Sequence, residues 1–215
     1  MCTRSARMHC LHCGSGGRNL IETRFLIAQF GKPSERKKAR SVIVETDELP
    51  GNGWKLLSER LWRSGVIGAK SSDPVAQRSR QAGGFAAWRS FGLEYPPRGL
   101  WAEVIPYGTI ADAEAAVPNM RSMVKKNPHF DGWVAGERTV EGIASTGATR
   151  LMVSEQFIEG TAVGPRNTKY FIGCVGPIVF LLVGTAPGDG WTLGEMEVIS
   201  DLQIGKIVKA QRTEK

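Results

Sequence analysis

Lys169-Tyr-Phe-Ile-Gly-Cys-Val175-Gly176-Pro177-Ile178-Val-Phe-Leu-Leu-Val-Gly184 is the stretch on which the fold turns. Two apolar, β-branched and aromatic runs, Lys169 to Val175 and Ile178 to Gly184, face each other across Gly176-Pro177, a pair of turn-forming residues. Two residues are too few for a crossover, so the runs read as paired antiparallel strands. They are the most apolar part of the chain, which places them in the centre of a sheet.

Working towards the C-terminus, Thr192-Leu-Gly-Glu195 is a capping box opening a helix, with Leu193, Met196, Ile199, Leu202 and Ile207 as its inward stripe. Lys206 and Lys209 near its end suit the helix dipole. Working backwards, Arg150 to Phe157 and Trp133 to Thr139 read as strands. Thr109-Ile-Ala-Asp112 opens an Ala-rich helix ending before Pro128, with Ile110, Ala113, Val117, Met120 and Val124 on one face. Pro118 is expected to kink that helix or delay its start. Phe85 to Leu93 and Leu100 to Tyr107 form a hairpin around Glu94-Tyr-Pro-Pro-Arg-Gly99. A short helix is expected from Ser72 or Asp73 to Gly83-Gly84, a strand over Trp54 to Arg63, a turn at Pro50-Gly-Asn-Gly53, and a strand at Val42-Ile-Val44. Strands outnumber helices and most connections are short. The expectation is an α+β fold, mainly an antiparallel sheet with two or three helices packed against it.

Length and composition agree with one core. At 215 residues, 41% hydrophobic and 23% charged, the chain is neither disordered, disulfide-stapled nor rod-like. The formal charge of +7 is unevenly distributed. Residues 1 to 40 hold nine Lys or Arg against Glu22 and Glu35, which accounts for the whole excess and leaves residues 41 to 215 electrically balanced. Nucleic-acid contact would therefore have to come from residues 1 to 40, read here as a flexible basic leader ahead of a single domain over 41 to 215. The leader also holds Cys10, Cys13, His9 and His12, donors suited to zinc. With no second ligand pair downstream, incidental thiols are the simpler reading, and no metal site is assigned. No stretch has the length of a membrane span or the form of an export signal, so a cytoplasmic location is the default, and an extracytoplasmic one follows if the chain's start is misassigned.

Catalytic signatures are not evident. The chain has no Gly-x-Ser-x-Gly, P-loop, dinucleotide-binding or His-Glu-x-x-His motif, and no cofactor is implied. His129 stands without a placed nucleophile, Cys174 lies in an apolar strand, and Asp112, Glu114, Glu155 and Glu159 are ordinary surface carboxylates by position. Two echoes attract more notice. Pro50-Gly-Asn-Gly-Trp54 recurs as Pro187-Gly-Asp-Gly-Trp191, and Trp62-Arg-Ser64 recurs as Trp88-Arg-Ser90. Turn chemistry explains the first pair as well as a duplication does, and core Trp with solvent Arg explains the second. Any of these indoles left partly exposed would mark a recognition surface.

The tract from Val42 to Ala210, above all Gly176-Pro-Ile-Val-Phe-Leu-Leu-Val-Gly184 leading through a turn into an amphipathic helix, resembles the ending of actinobacterial sensor-type domains. Those domains occur outside the membrane in serine/threonine kinases and lipoproteins, with a fold similar to the PsbP-like α/β sandwich. The resemblance implies a non-catalytic module that binds a ligand or a protein in a groove between sheet and helices. On this reading the contact residues are Trp54, Trp62, Arg63, Trp88, Arg89, Tyr95 and Trp191, and the partner is a small ligand or a protein. The competing class is a small-molecule enzyme using His129 or a carboxylate pair in a cleft between sheet and helices.

Overall fold

The computed structural model describes residues 33–63, 85–125, 133–140, 147–159, 165–188 and 190–213. The chain divides into two units, Met1–Lys32 and Pro33–Lys215, and every described residue lies in the second. The leader's Cys10, Cys13, His9 and His12, the helix expected over 72–84, and His129 fall outside the described residues.

The described elements are helix α1 (Pro33–Ser41), a 3-10 turn (Thr46–Glu48), strands β1 (Lys55–Arg63), β2 (Phe85–Leu93) and β3 (Arg98–Pro106), and helix α2 (Ile110–Lys125). Strands β4 (Trp133–Val140), β5 (Arg150–Glu159), β6 (Arg166–Val175) and β7 (Ile178–Pro187) follow, then helix α3 (Leu193–Arg212). The strands make one seven-stranded sheet in the order β1-β2-β3-β7-β6-β5-β4, antiparallel throughout. This is the α+β fold that the sequence predicts.

The β6–β7 hairpin pairs Val175 with Ile178 across Gly176-Pro177, and β7 is the central strand. Gly176 adopts φ +54° and Pro177 fixes the next φ, the combination that a two-residue hairpin needs. Alternation along the strands then defines two faces. One carries Phe91, Leu100, Ala102, Phe171, Phe180 and Leu182 and packs with buried residues of α1 and α3. The other carries Tyr170, Ile172, Cys174, Val179, Leu181 and Val183 beneath Ala113, Ala116, Val117 and Met120 of α2. The result is three layers with the sheet in the middle.

Local chemistry accounts for the helices. Thr192 Oγ1 accepts from Glu195 N at 3.1 Å while Glu195 Oε2 accepts from Thr192 N at 2.9 Å, closing the predicted capping box of α3. Thr109 Oγ1 caps α2 in the same way by accepting from Asp112 N at 3.1 Å. Pro118 lies inside α2 without ending it. Its missing N–H leaves the Glu114 carbonyl without an intrahelical donor, and Arg150 Nη1 on β5 approaches that oxygen at 3.5 Å.

Three expectations are corrected. Val42–Val44 is not a strand; it is a buried irregular segment ahead of the 3-10 turn. Its backbone groups bond to side chains instead of a neighbouring strand. Arg89 Nη1 donates to Ile43 O (3.3 Å) and Val44 O (2.9 Å), Gln203 Oε1 accepts from Val44 N (3.2 Å), and Gln203 Nε2 donates to Val42 O. The buried stripe of α3 is Met196, Ile199, Ser200, Gln203, Ile204 and Ile207, with Leu202 outside it, because the helix turns the Gln203 amide inward to meet that segment. On α2, Ala116 takes the buried place expected of Ile110, which is exposed. In addition, Pro33–Arg40, placed by composition in the leader, form most of α1. Ala39 is buried there, Arg36 lies over the Phe85 ring, and Arg40 Nε donates to Glu59 Oε2 at 2.9 Å.

Replacing Gln203 with Leu keeps the volume but strands Val42 O and Val44 N. At about 1–3 kcal/mol for each buried unsatisfied group, the expected loss is about 2–4 kcal/mol. For a chain of this size that is a fall in melting temperature of about 5–10 °C. A Gln203→Leu variant that melts with the wild type would show that the amide does not hold the segment.

Candidate functional site

The two faces of β2 and β3 have different characters. On the α1/α3 face the polar groups are matched. Arg89, buried, places Nε and Nη2 each 2.9 Å from Glu59 Oε1. Burial alone would raise the Glu59 carboxyl, but hydrogen bonds from Arg89 and Arg40 outweigh it and hold the group below the ordinary carboxylate range. Trp54 and Trp191, the indoles of the two echoed turns, stack on each other with centroids 5.5 Å apart. Trp191 Nε1 donates to Gly99 O (3.1 Å) and Thr185 O (3.2 Å), and Trp54 Nε1 donates to Pro50 O (2.9 Å). Arg98 covers the Trp191 ring and pairs with Glu195 at 2.7 Å. The repeated Pro-Gly-x-Gly-Trp motif thus brings two tryptophans into one buried contact, with Trp191 1% exposed.

The α2 face of the same strands carries Trp88, Trp101 and Glu103. Register puts Glu103 between Trp88 on β2 and Leu181 on β7, and alternation along β3 adds Trp101 and Ile105 on either side. The carboxyl therefore stands in an apolar frame of four residues. The side chain is only partly buried, yet desolvation pushes its pKa up to about 7, with no hydrogen bond or neighbouring charge contributing. A desolvated acid beside two partly exposed indoles makes this part of the sheet the candidate site. The Trp88 and Trp101 rings meet edge to face, centroids 5.7 Å apart at 82°. Arg60 of β1 lies over the Trp88 ring, 5.6 Å from its centroid. Both indole Nε1 atoms are buried without a hydrogen-bond partner.

The sequence-predicted contact residues are dispersed. Trp54 and Trp191 are core, and Arg89 is committed to Glu59 and the Ile43 and Val44 carbonyls on the opposite face from Trp88. Tyr95 is 91% exposed at the β2–β3 turn, beside Glu94, which accepts from Lys55 Nζ at 2.6 Å. Trp62 and Arg63 lie in β1 opposite Ala86 and Phe85, and their side chains are outside the described set. Among those whose side chains are described, only Trp88 lies beside Glu103. Trp101 and Glu103 were passed over, though the signal was present: in Leu100-Trp-Ala-Glu-Val-Ile105 an acid alternates with Trp and Ile on one face of a central strand. Of the carboxylates considered for catalysis, Glu155 pairs with Lys169 at 2.9 Å and Asp112 serves the cap of α2. No group of three or more metal-ligating side chains occurs among the described residues.

The fold and site describe a three-layer α+β domain with two indoles and an acid set side by side on one sheet face. Among solved structures it is similar to the extracellular domain of PknH from Mycobacterium tuberculosis, with a TM-score of 0.50 and 12% sequence identity, over 80% of this chain and 96% of that domain. The likeness is one of fold. No family model and no curated protein sequence matches the chain.

The Glu103 shift has a measurable sign. The folded pKa near 7 exceeds the unfolded value of about 4.3, so ionisation costs stability progressively from about pH 4.3 to 7 and fully above that. Glu103→Gln removes the cost. The variant should match the wild type near pH 4 and melt about 5 °C higher at pH 8, corresponding to about 2 kcal/mol after allowance for partial exposure. A melting difference independent of pH would contradict the raised pKa.

Proposed function

We propose that this chain is a non-catalytic sensor- or scaffold-like binding domain that takes a small ligand on the α2 face of its sheet, at Trp88, Trp101 and Glu103. One observation carries the reading. A carboxyl with no ionic or hydrogen-bonding partner among the described residues is kept beside two half-buried indoles in an apolar frame, an arrangement that costs stability. The fold likeness to the extracellular domain of PknH supports the same reading, and favours the extracytoplasmic location over the cytoplasmic default. It also supports membership of the actinobacterial sensor-type group. No helix among the described residues is long and apolar enough to cross a membrane.

Thermal-shift screening of the full chain against small molecules of varied charge tests the proposal. A ligand at a hundred times its Kd stabilises by about 2.7 kcal/mol, several degrees in a chain of this size. Trp88→Ala and Trp101→Ala should each remove most of that shift. A ligand whose shift survives both substitutions, or a panel that produces no shift at all, would overturn the site.

A further inference from the structure

The site has a chemistry specific enough to name the kind of ligand. Both indole nitrogens are sealed from solvent, so what Trp88 and Trp101 offer at their partly accessible surface is ring carbon and its π face. The rings stand at 82° to each other, two walls of a corner, and Glu103 is the direct cross-strand neighbour of one and two residues along the strand from the other. An anionic ligand would meet an acid there. A metal ion would find a single carboxylate, with no cluster of further ligands among the described residues. A neutral apolar ligand would leave the carboxylate desolvated and uncompensated. An organic cation suits the acid and the ring faces together, because the carboxylate neutralises its charge and aromatic faces attract alkylated ammonium groups. One of the two rings already carries a cation, since the Arg60 guanidinium of β1 rests on Trp88.

Resting on the ligand-site reading above, we propose that the Trp88–Trp101–Glu103 corner binds a small alkylated ammonium ion, the carboxylate holding its charge and the indole rings its alkyl groups. Arg60 is then an internal competitor that occupies one of those rings in the free protein.

Tryptophan fluorescence and calorimetric titrations of the full chain with choline, tetramethylammonium and the neutral choline isostere 3,3-dimethyl-1-butanol provide the test. Saturable binding is expected for both cations and at least tenfold weaker binding for the neutral isostere. Glu103→Gln should weaken the cations at least tenfold without lowering the melting temperature. Arg60→Ala should tighten them several-fold, an effect that a merely structural Arg60 would not produce. Equal affinity for choline and its isostere, or cation affinity indifferent to Glu103→Gln, overturns the ammonium proposal while leaving an apolar ligand site intact. No binding by any of the three overturns it as well, and the broader screen then decides whether the site itself stands.

Discussion

Four backbone hydrogen bonds to the segment Val42–Val44, made by two side chains, hold the α1/α3 side of the molecule together. The segment is buried and pairs with no strand, so its carbonyls and amide must find partners elsewhere or cost about 1–3 kcal/mol apiece. Arg89 supplies two donors from β2, and the Gln203 amide supplies one donor and one acceptor from α3. Each side chain thereby ties a different layer to the same three residues. Arg89 can be buried there only because Glu59 neutralises it, and Glu59 in turn receives Arg40 of α1. Lys206 of α3 pairs with Glu48 of the 3-10 turn at 2.7 Å, extending the tie beyond the segment. Packing of α1 and α3 on the sheet follows from this network as much as from apolar contact.

Elements whose hydrogen bonds are local, or run between adjacent strands, were legible in the sequence. The β6–β7 hairpin, the β2–β3 hairpin and the two capped helices each announce themselves by periodicity and by the residues that end them. The Val42–Val44 segment was not legible, because β-branched residues describe side-chain preference and say nothing about which groups will satisfy the backbone. Its partners lie 45 to 161 positions away. The same long-range match explains the displaced stripe of α3: Leu202 is the more apolar residue, but the buried carbonyl and amide need Gln203. The basic composition of 33–40 concealed α1, whose polar residues include Arg36 over Phe85 and Arg40 on Glu59, both in contact with the domain.

Tryptophan was the right residue type to follow and a poor guide to position. An indole is large enough to be core or surface, and its neighbours in space decide which. Trp54 and Trp191, the indoles of the matching turns, pack on each other in the core. Trp88 and Arg89 are adjacent in sequence and part company at once, one to each face of β2. The site was hidden for the same reason. Its members come from neighbouring strands, and only the register of β2 against β3 sets Trp88 beside Glu103.

The unequal treatment of the two faces is itself informative. Glu59 on β1 and Glu103 on β3 are both partly buried, yet their carboxyls move in opposite directions. Glu59 has two guanidinium groups within hydrogen-bonding distance. Arg60, the residue next to Glu59, turns to the other face and rests on an indole instead of reaching an acid. A sheet built only for stability would place an apolar residue at position 103, where Leu181, Ile105 and two tryptophans already form the surroundings. Retaining an acid there lowers stability at neutral pH, and it leaves on this face a negative charge for which the described residues supply no ion-pair partner.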